Sequence, residues 1–160
     1  MLITATQPPV WTAIFSAEDR RNALTRAMVA DLGDLIRRLA ADDQAGLLVL
    51  RGASDVAFCA GVDVKEMAGD LAGQPFAGHA MPVRGQPGCP KPMVAMLNGD
   101  AVGGGLQLAL SCDIIVAHTD VRAGCRRPSW APCSGMASWR GGPGRRGRRF
   151  GPDHHRRTSG

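Results

Sequence analysis

With 160 residues, 44% of them hydrophobic and 21% charged, the chain holds enough apolar material for one domain with its own core. No apolar run reaches membrane-spanning length, because Gln107 and Asp113 interrupt the longest one, and the first eleven residues lack the basic-then-apolar order of a secretion signal, so a cytoplasmic protein is expected. The net charge of +5 is unevenly placed: residues 1–124 carry ten basic and thirteen acidic side chains, whereas residues 125–160 carry nine arginines and one acid, Asp153, and none of the five cysteines forms a C-x-x-C pair that would mark a disulfide framework or a structural zinc site.

Leu2 to Thr6 and Val10 to Phe15 read as two short strands around Pro8-Pro9, followed by a polar turn over 16–21. A helix is predicted next. Thr25 suits its N-cap, and Leu24 and Val29 are placed as a hydrophobic staple. Leu24, Met28, Leu32, Leu35, Ile36 and Leu39 recur every three or four residues, which marks one buried face. Asp34 and Arg38 are spaced for an i,i+4 ion pair on the outside. Residues 46–51, GLLVLR, are the continuous apolar run of a strand covered on both faces. Residues 57–67, AFCAGVDVKEM, pass from a strand end into a helix start, where Asp63 and Glu66 have capping-box spacing.

Residues 68–92 are rich in Gly and Pro and are expected to form a long loop; its one histidine, His79, reads as a solvated side chain. Met93 to Leu97 is the next buried strand. Gly103, Gly104 and Gly105 then open a short apolar helix, and Asp113 to Ala117 is a further strand. The recurrence of strand, helix and strand predicts an α/β layer architecture with parallel strands. Past Gly124 no helical or strand period remains, so residues 125–160 form a basic, non-periodic tail that is not expected to fold alone.

Two glycine-containing turns stand out, FCAGVD at 58–63 and VGGG at 102–105. Each follows a buried strand and leads into a helix. If the two strands are neighbours, backbone N–H groups of both turns converge on one oxygen, the arrangement of an oxyanion hole. The contiguous triplet is not a dinucleotide fingerprint, which needs G-x-G-x-x-G. Cys59, beside the first turn, has no visible partner base and reads as a small buried side chain.

Three segments in this order, RRNALTRAM at 20–28, AFCAGVDVKEM at 57–67 and PKPMVAMLNGDAVGGGLQLALSCDIIVA at 90–117, resemble the crotonase, or enoyl-CoA hydratase/isomerase, superfamily. The resemblance covers nearly all of residues 1–124. It implies an α/β fold, a spiral of ββα units that is incomplete here, forming an acyl-CoA-binding core over 1–124. No cofactor is implied beyond the CoA thioester that serves as substrate. The oxyanion donors would be the N–H groups of Val62 and Gly104, in turns shaped by Gly61 and Gly103. The backbone around Ala60 would meet the adenine end of CoA, Arg21 with Ala23 would lie toward its pantetheine and phosphates, and Gly61, Asp63 and Gly103 would complete the CoA-binding set. Relatives assemble as trimers or as dimers of trimers, an assembly that the divergent end of this chain puts in question.

The departure from the family pattern concerns proton transfer. Hydratases resembling this chain carry a glutamate three residues after the middle glycine; here Gln107 stands in its place. A glutamine can hydrogen-bond a water but cannot exchange a proton at ordinary pH. Gln107 therefore reads either as a group that binds substrate or water, or as pocket wall, and Asp63 reads first as a helix cap. A second family glutamate has no counterpart, because residues 125–160 contain no glutamate. The expected function is acyl-CoA binding with enolate stabilisation, with hydration or isomerisation as the family default. The alternatives are an inactive, truncated acyl-CoA-binding remnant and nucleic-acid binding by the arginine-rich end. The latter end lacks any folded recognition motif. The abrupt change of composition near Gly124 also fits a shift of reading frame.

Overall fold

The computed structural model describes residues 1–63, 65–66, 90–124 and 139–140, and residues 68–89 of the expected long loop and most of the basic tail lie outside them. In order, the chain forms β1 (Leu2–Gln7), β2 (Val10–Phe15), a 3-10 turn (Glu18–Arg20), α1 (Arg26–Ala41), β3 (Leu47–Gly52) and β4 (Ala57–Cys59). After the undescribed stretch come β5 (Met93–Leu97), β6 (Asp100–Val102), α2 (Gly104–Leu110), β7 (Ile114–Ala117), β8 (Arg122–Gly124) and β9 (Trp139–Arg140). One sheet takes the order β1-β2-β3-β5-β7 and the other β4-β6-β8-β9.

From β3 onward the strands come in pairs: β3 and β4, β5 and β6, β7 and β8. The first of each pair joins the larger sheet and the second joins the smaller. The chain thus winds as a spiral, with α2 following the second strand of its unit. Within the larger sheet β2, β3, β5 and β7 are parallel, and β1 alone runs antiparallel, as the first arm of a hairpin closed at Pro8-Pro9. The expected parallel α/β architecture is present. β9 pairs antiparallel with β8, with Ala123 opposite Trp139.

Local sequence explains most of the elements. α1 begins where Thr25 accepts the Met28 N–H at 3.1 Å, the expected N-cap. Leu24, Met28, Leu32, Leu35, Ile36 and Leu39 are all buried, so the predicted stripe is the face that packs on the core. Val29 is partly buried and packs against the same core. The external ion pair differs from expectation: Asp34 pairs with Arg37, not Arg38. The Arg38 guanidinium lies 5.6 Å from the centroid of the Trp11 ring instead, a cation–π contact that draws it toward β2.

β3 also differs from the sequence reading. Leu48 and Leu50 are buried, whereas Leu47, Val49 and Arg51 are half-buried, so α1 and the core cover one face fully and the other face only in part. Phe15 of β2 and Phe58 of β4 meet edge to face, with centroids 5.6 Å apart and planes at 84°, and lock the two sheets together.

Three polar side chains tie the loops that the strands leave. Asn22, fully buried in a left-handed conformation, accepts the Ala17 N–H at 2.9 Å and donates to the Ala57 carbonyl at 2.7 Å. Asn98 accepts the Gly52 N–H at 2.9 Å and donates to the Gly52 and Ser54 carbonyls. Asp63, also buried, accepts from Arg20 Nη1 at 2.9 Å and from the Lys65 N–H at 2.9 Å.

The second of those contacts is the cap expected of Asp63. Its capping-box partner behaves otherwise: Glu66 reaches across to the Arg26 N–H at 2.8 Å and caps α1, while the Asp63 N–H is taken by the Leu24 carbonyl. The first turn of a helix has no internal acceptor for its N–H groups, and Glu66 supplies one from outside.

The hydrogen bond from Arg20 holds the Asp63 carboxyl below its ordinary pKa of 3.8, helped by the Lys65 N–H and opposed by burial. A group with a depressed folded pKa stabilises the fold above its unfolded value and loses that contribution as pH falls through the folded value. In urea unfolding, Asp63→Asn is expected to be less stable than the parent by a constant margin from neutral pH to about pH 4. The margin should shrink below that. A margin that stays constant through strongly acidic pH would contradict the assignment.

Candidate functional site

The two glycine turns meet. β4 and β6 are parallel neighbours, with Ala57 opposite Asp100 and Cys59 opposite Ala101, so the turns that follow them emerge side by side. Gly61 adopts a φ of +104°, and a Cβ there would sit 3.0 Å from the Val102 carbonyl and 3.3 Å from the Gly104 nitrogen. The first turn can lie this close to the second only because residue 61 lacks a side chain. Gly105 serves the same approach from the other side, because a Cβ there would overlap the Cys59 carbonyl.

The peptide planes fix where the donors point. The Gly61 carbonyl accepts from the Leu24 N–H at 2.7 Å, and the Asp63 N–H donates back to the Leu24 carbonyl at 2.9 Å. A trans peptide sets its C=O and N–H in opposite directions, so the Val62 N–H points away from Leu24. In the second turn the Gly103 N–H donates to the Gly124 carbonyl at 2.9 Å, and the Gly103 carbonyl accepts from Gln107 at 3.0 Å. Gly104 is the first residue of α2, so its N–H has no acceptor within the helix. Among the described residues neither the Val62 N–H nor the Gly104 N–H has a hydrogen-bonding partner.

The remaining sequence candidates fall around these turns. Arg21 is exposed in a left-handed conformation, and its carbonyl accepts the Ala60 N–H at 3.0 Å, so Arg21 and Ala60 share one rim. Ala23 is buried between them and α1. Gln107 lies one helical turn beyond Gly104 and is exposed, whereas Leu106, Leu108 and Ala109 around it are buried. Cys59 is fully buried, with its sulfur 3.4 Å from the Gly61 nitrogen, and burial pushes its thiol up to about 11. It is protonated at neutral pH and acts as a small apolar filler.

Arg20 and Asn22 were not singled out from the sequence. Arg20 pairs with a residue 43 positions away and Asn22 bonds one 35 positions away, and separations of that size leave no local pattern. Among the described residues no group of three or more His, Cys, Asp and Glu is placed to hold a metal ion, and no helix is long and apolar enough to cross a membrane.

Comparison with known proteins agrees with this geometry. The family model described as enoyl-CoA hydratase/isomerase matches residues 10–126. Relatives include the (E)-benzylidenesuccinyl-CoA hydratase of Thauera aromatica, 34% identical over 124 residues, covering 72% of this chain and 46% of that protein. A probable enoyl-CoA hydratase of Rhizobium meliloti is 34% identical over 124 residues, covering 77% of this chain and 48% of its own. Among solved structures, an enoyl-CoA hydratase from Mycobacterium tuberculosis superposes with a TM-score of 0.64 at 36% identity, covering 78% of this chain and 51% of that one. An enoyl-CoA hydratase/carnithine racemase from Magnetospirillum magneticum gives 0.67 at 29% identity, covering 78% and 48%. The chain thus spans about half the length of the relatives it matches. With its paired-strand spiral and its two abutting glycine turns, this chain belongs to the enoyl-CoA hydratase/isomerase family of the crotonase superfamily.

Proposed function

We propose that the chain binds an acyl-CoA thioester and stabilises its enolate, with the thioester oxygen accepting from the Val62 and Gly104 N–H groups. The observation that carries this reading is the juxtaposition of two uncommitted donors from turns on adjacent parallel strands. Donors fixed by the fold need no reorganisation when negative charge develops on the oxygen, and that is the source of their effect. The exposed Arg21, on the rim next to Ala60, is placed to meet a CoA phosphate, and Gly61 and Gly103 leave room for the thioester to approach backbone. Asp63 contributes indirectly, since its carboxylate is already held by Arg20 and the Lys65 N–H.

The second reading, acyl-CoA binding without hydration, is favoured by one residue. Gln107 occupies the helix position one turn from the hole, and an amide cannot carry a proton to or from water. The site as built favours the carbonyl chemistry common to the family and leaves water activation without a proton carrier at this position.

Two measurements test these readings. Purified protein should bind crotonyl-CoA while leaving its conjugated double bond unhydrated, and Gln107→Glu should raise the hydration rate by about a hundredfold, the lower end of what a positioned acid–base group supplies. Parent protein that hydrates as fast as Gln107→Glu would contradict the role given to Gln107. Gly104→Pro removes one donor at the first helical position, where proline is tolerated. It should weaken enolate stabilisation by about a hundredfold or more with the melting temperature preserved. Unchanged enolate stabilisation would remove Gly104 from the hole.

A further inference from the structure

We propose that the Arg20–Asp63 ion pair is the positioning device for the Val62 N–H, an inference that rests on the oxyanion reading above. Val62 belongs to no continuous strand ladder. Among the described residues its strand pairing is one parallel bridge to Leu24, made of the Leu24–Gly61 and Asp63–Leu24 hydrogen bonds. One residue earlier, the Ala60 N–H reaches the Arg21 carbonyl. Residues 20–24 thus supply the backbone hydrogen bonds that flank the donor on both sides, alongside the packing of Gly61 on Val102 and Gly104. That segment is itself irregular, with Arg21 and Asn22 at φ of 51° and 57°.

Asp63 follows the donor directly and its carboxylate grips both sides of this junction. One oxygen holds Arg20, at the near end of the irregular segment; the other holds the Lys65 N–H and turns the chain after Val62. The Asp63 side chain is only 10% exposed, against 46% for Arg20. A charge-assisted bond from a little-exposed carboxylate is short and directional, so it restrains position more tightly than a neutral contact. Glu66 adds a second tie from the same turn to the start of α1. Asp19 also lies 3.6 Å from Arg20, but it is 75% exposed and solvent screens it. Arg20 itself touches neither donor, so its part is to hold Asp63, and through Asp63 the Gly61–Val62 peptide plane.

The test uses acetoacetyl-CoA, whose bound enolate is followed by its ultraviolet band, and free CoA, which has no thioester carbonyl. The parent protein should raise the enolate fraction above that of the free thioester at the same pH. Arg20→Ala should lower the bound enolate-to-keto ratio about tenfold, less than the loss of a whole donor, and Arg20→Lys should recover part of it. Affinity for free CoA should stay within about twofold throughout, since donor geometry does not touch it. An unchanged enolate ratio in Arg20→Ala, with only the melting temperature lowered, overturns the proposal and makes the pair a plain stabilising contact. Equal loss of both ligands in Arg20→Ala and Arg20→Lys overturns it too. Parent protein that leaves the bound thioester in its keto form overturns the oxyanion reading itself, and this assignment with it.

Discussion

The parallel pairing of β4 with β6 is the constraint on which the site depends. These are three-residue strands, and little in either one specifies a partner. What holds them in register is the fit of the turns that follow. Gly61 lies against Val102 and Gly104, where its φ of +104° and a crowded Cβ position favour glycine, and Gly105 lies against Cys59 with no room for a Cβ. The same contacts bring the backbone of the two turns together. A methyl group at either glycine would therefore act on the packing of both turns.

Around this contact the protein places its polar groups as ties between segments far apart in sequence. Asn22 links the loop after β2 to the start of β4, and Asn98 links the end of β5 to the turn after β3. Asp63 and Glu66 link the turn after β4 to the segment that starts α1. Each is buried or half-buried and satisfied, and an irregular backbone with several left-handed residues needs that support. The larger sheet, with α1 packed on one face, supplies the apolar mass; the smaller sheet carries the two glycine turns. Phe15 and Phe58 carry the connection between the two.

Much of this was legible in the sequence, and the reasons are local. α1 announced itself through Thr25 and a stripe at helical spacing, and every residue of that stripe is buried. The glycine turns were visible as turns following apolar strands, and family likeness paired them. What was not legible depended on distance or on competition. Glu66 has capping-box spacing to Asp63, yet it accepts instead from the N–H of Arg26, 40 positions earlier. Arg38 has ion-pair spacing to Asp34, yet the face of Trp11 holds it and leaves Asp34 to Arg37. The short strands β6 and β8 carry too few residues to show an alternation, and only their pairing defines them.

The central claim is that a thioester carbonyl receives hydrogen bonds from Val62 and Gly104 at once. Isotope-edited infrared spectroscopy of crotonyl-CoA labelled with carbon-13 at the thioester carbonyl observes that oxygen directly. Two donors polarise the C=O bond and lower its stretching frequency. The account predicts a bound carbonyl band below that of the free thioester, shifted part of the way back in Gly104→Pro. A bound carbonyl band at the frequency of the free thioester would contradict it.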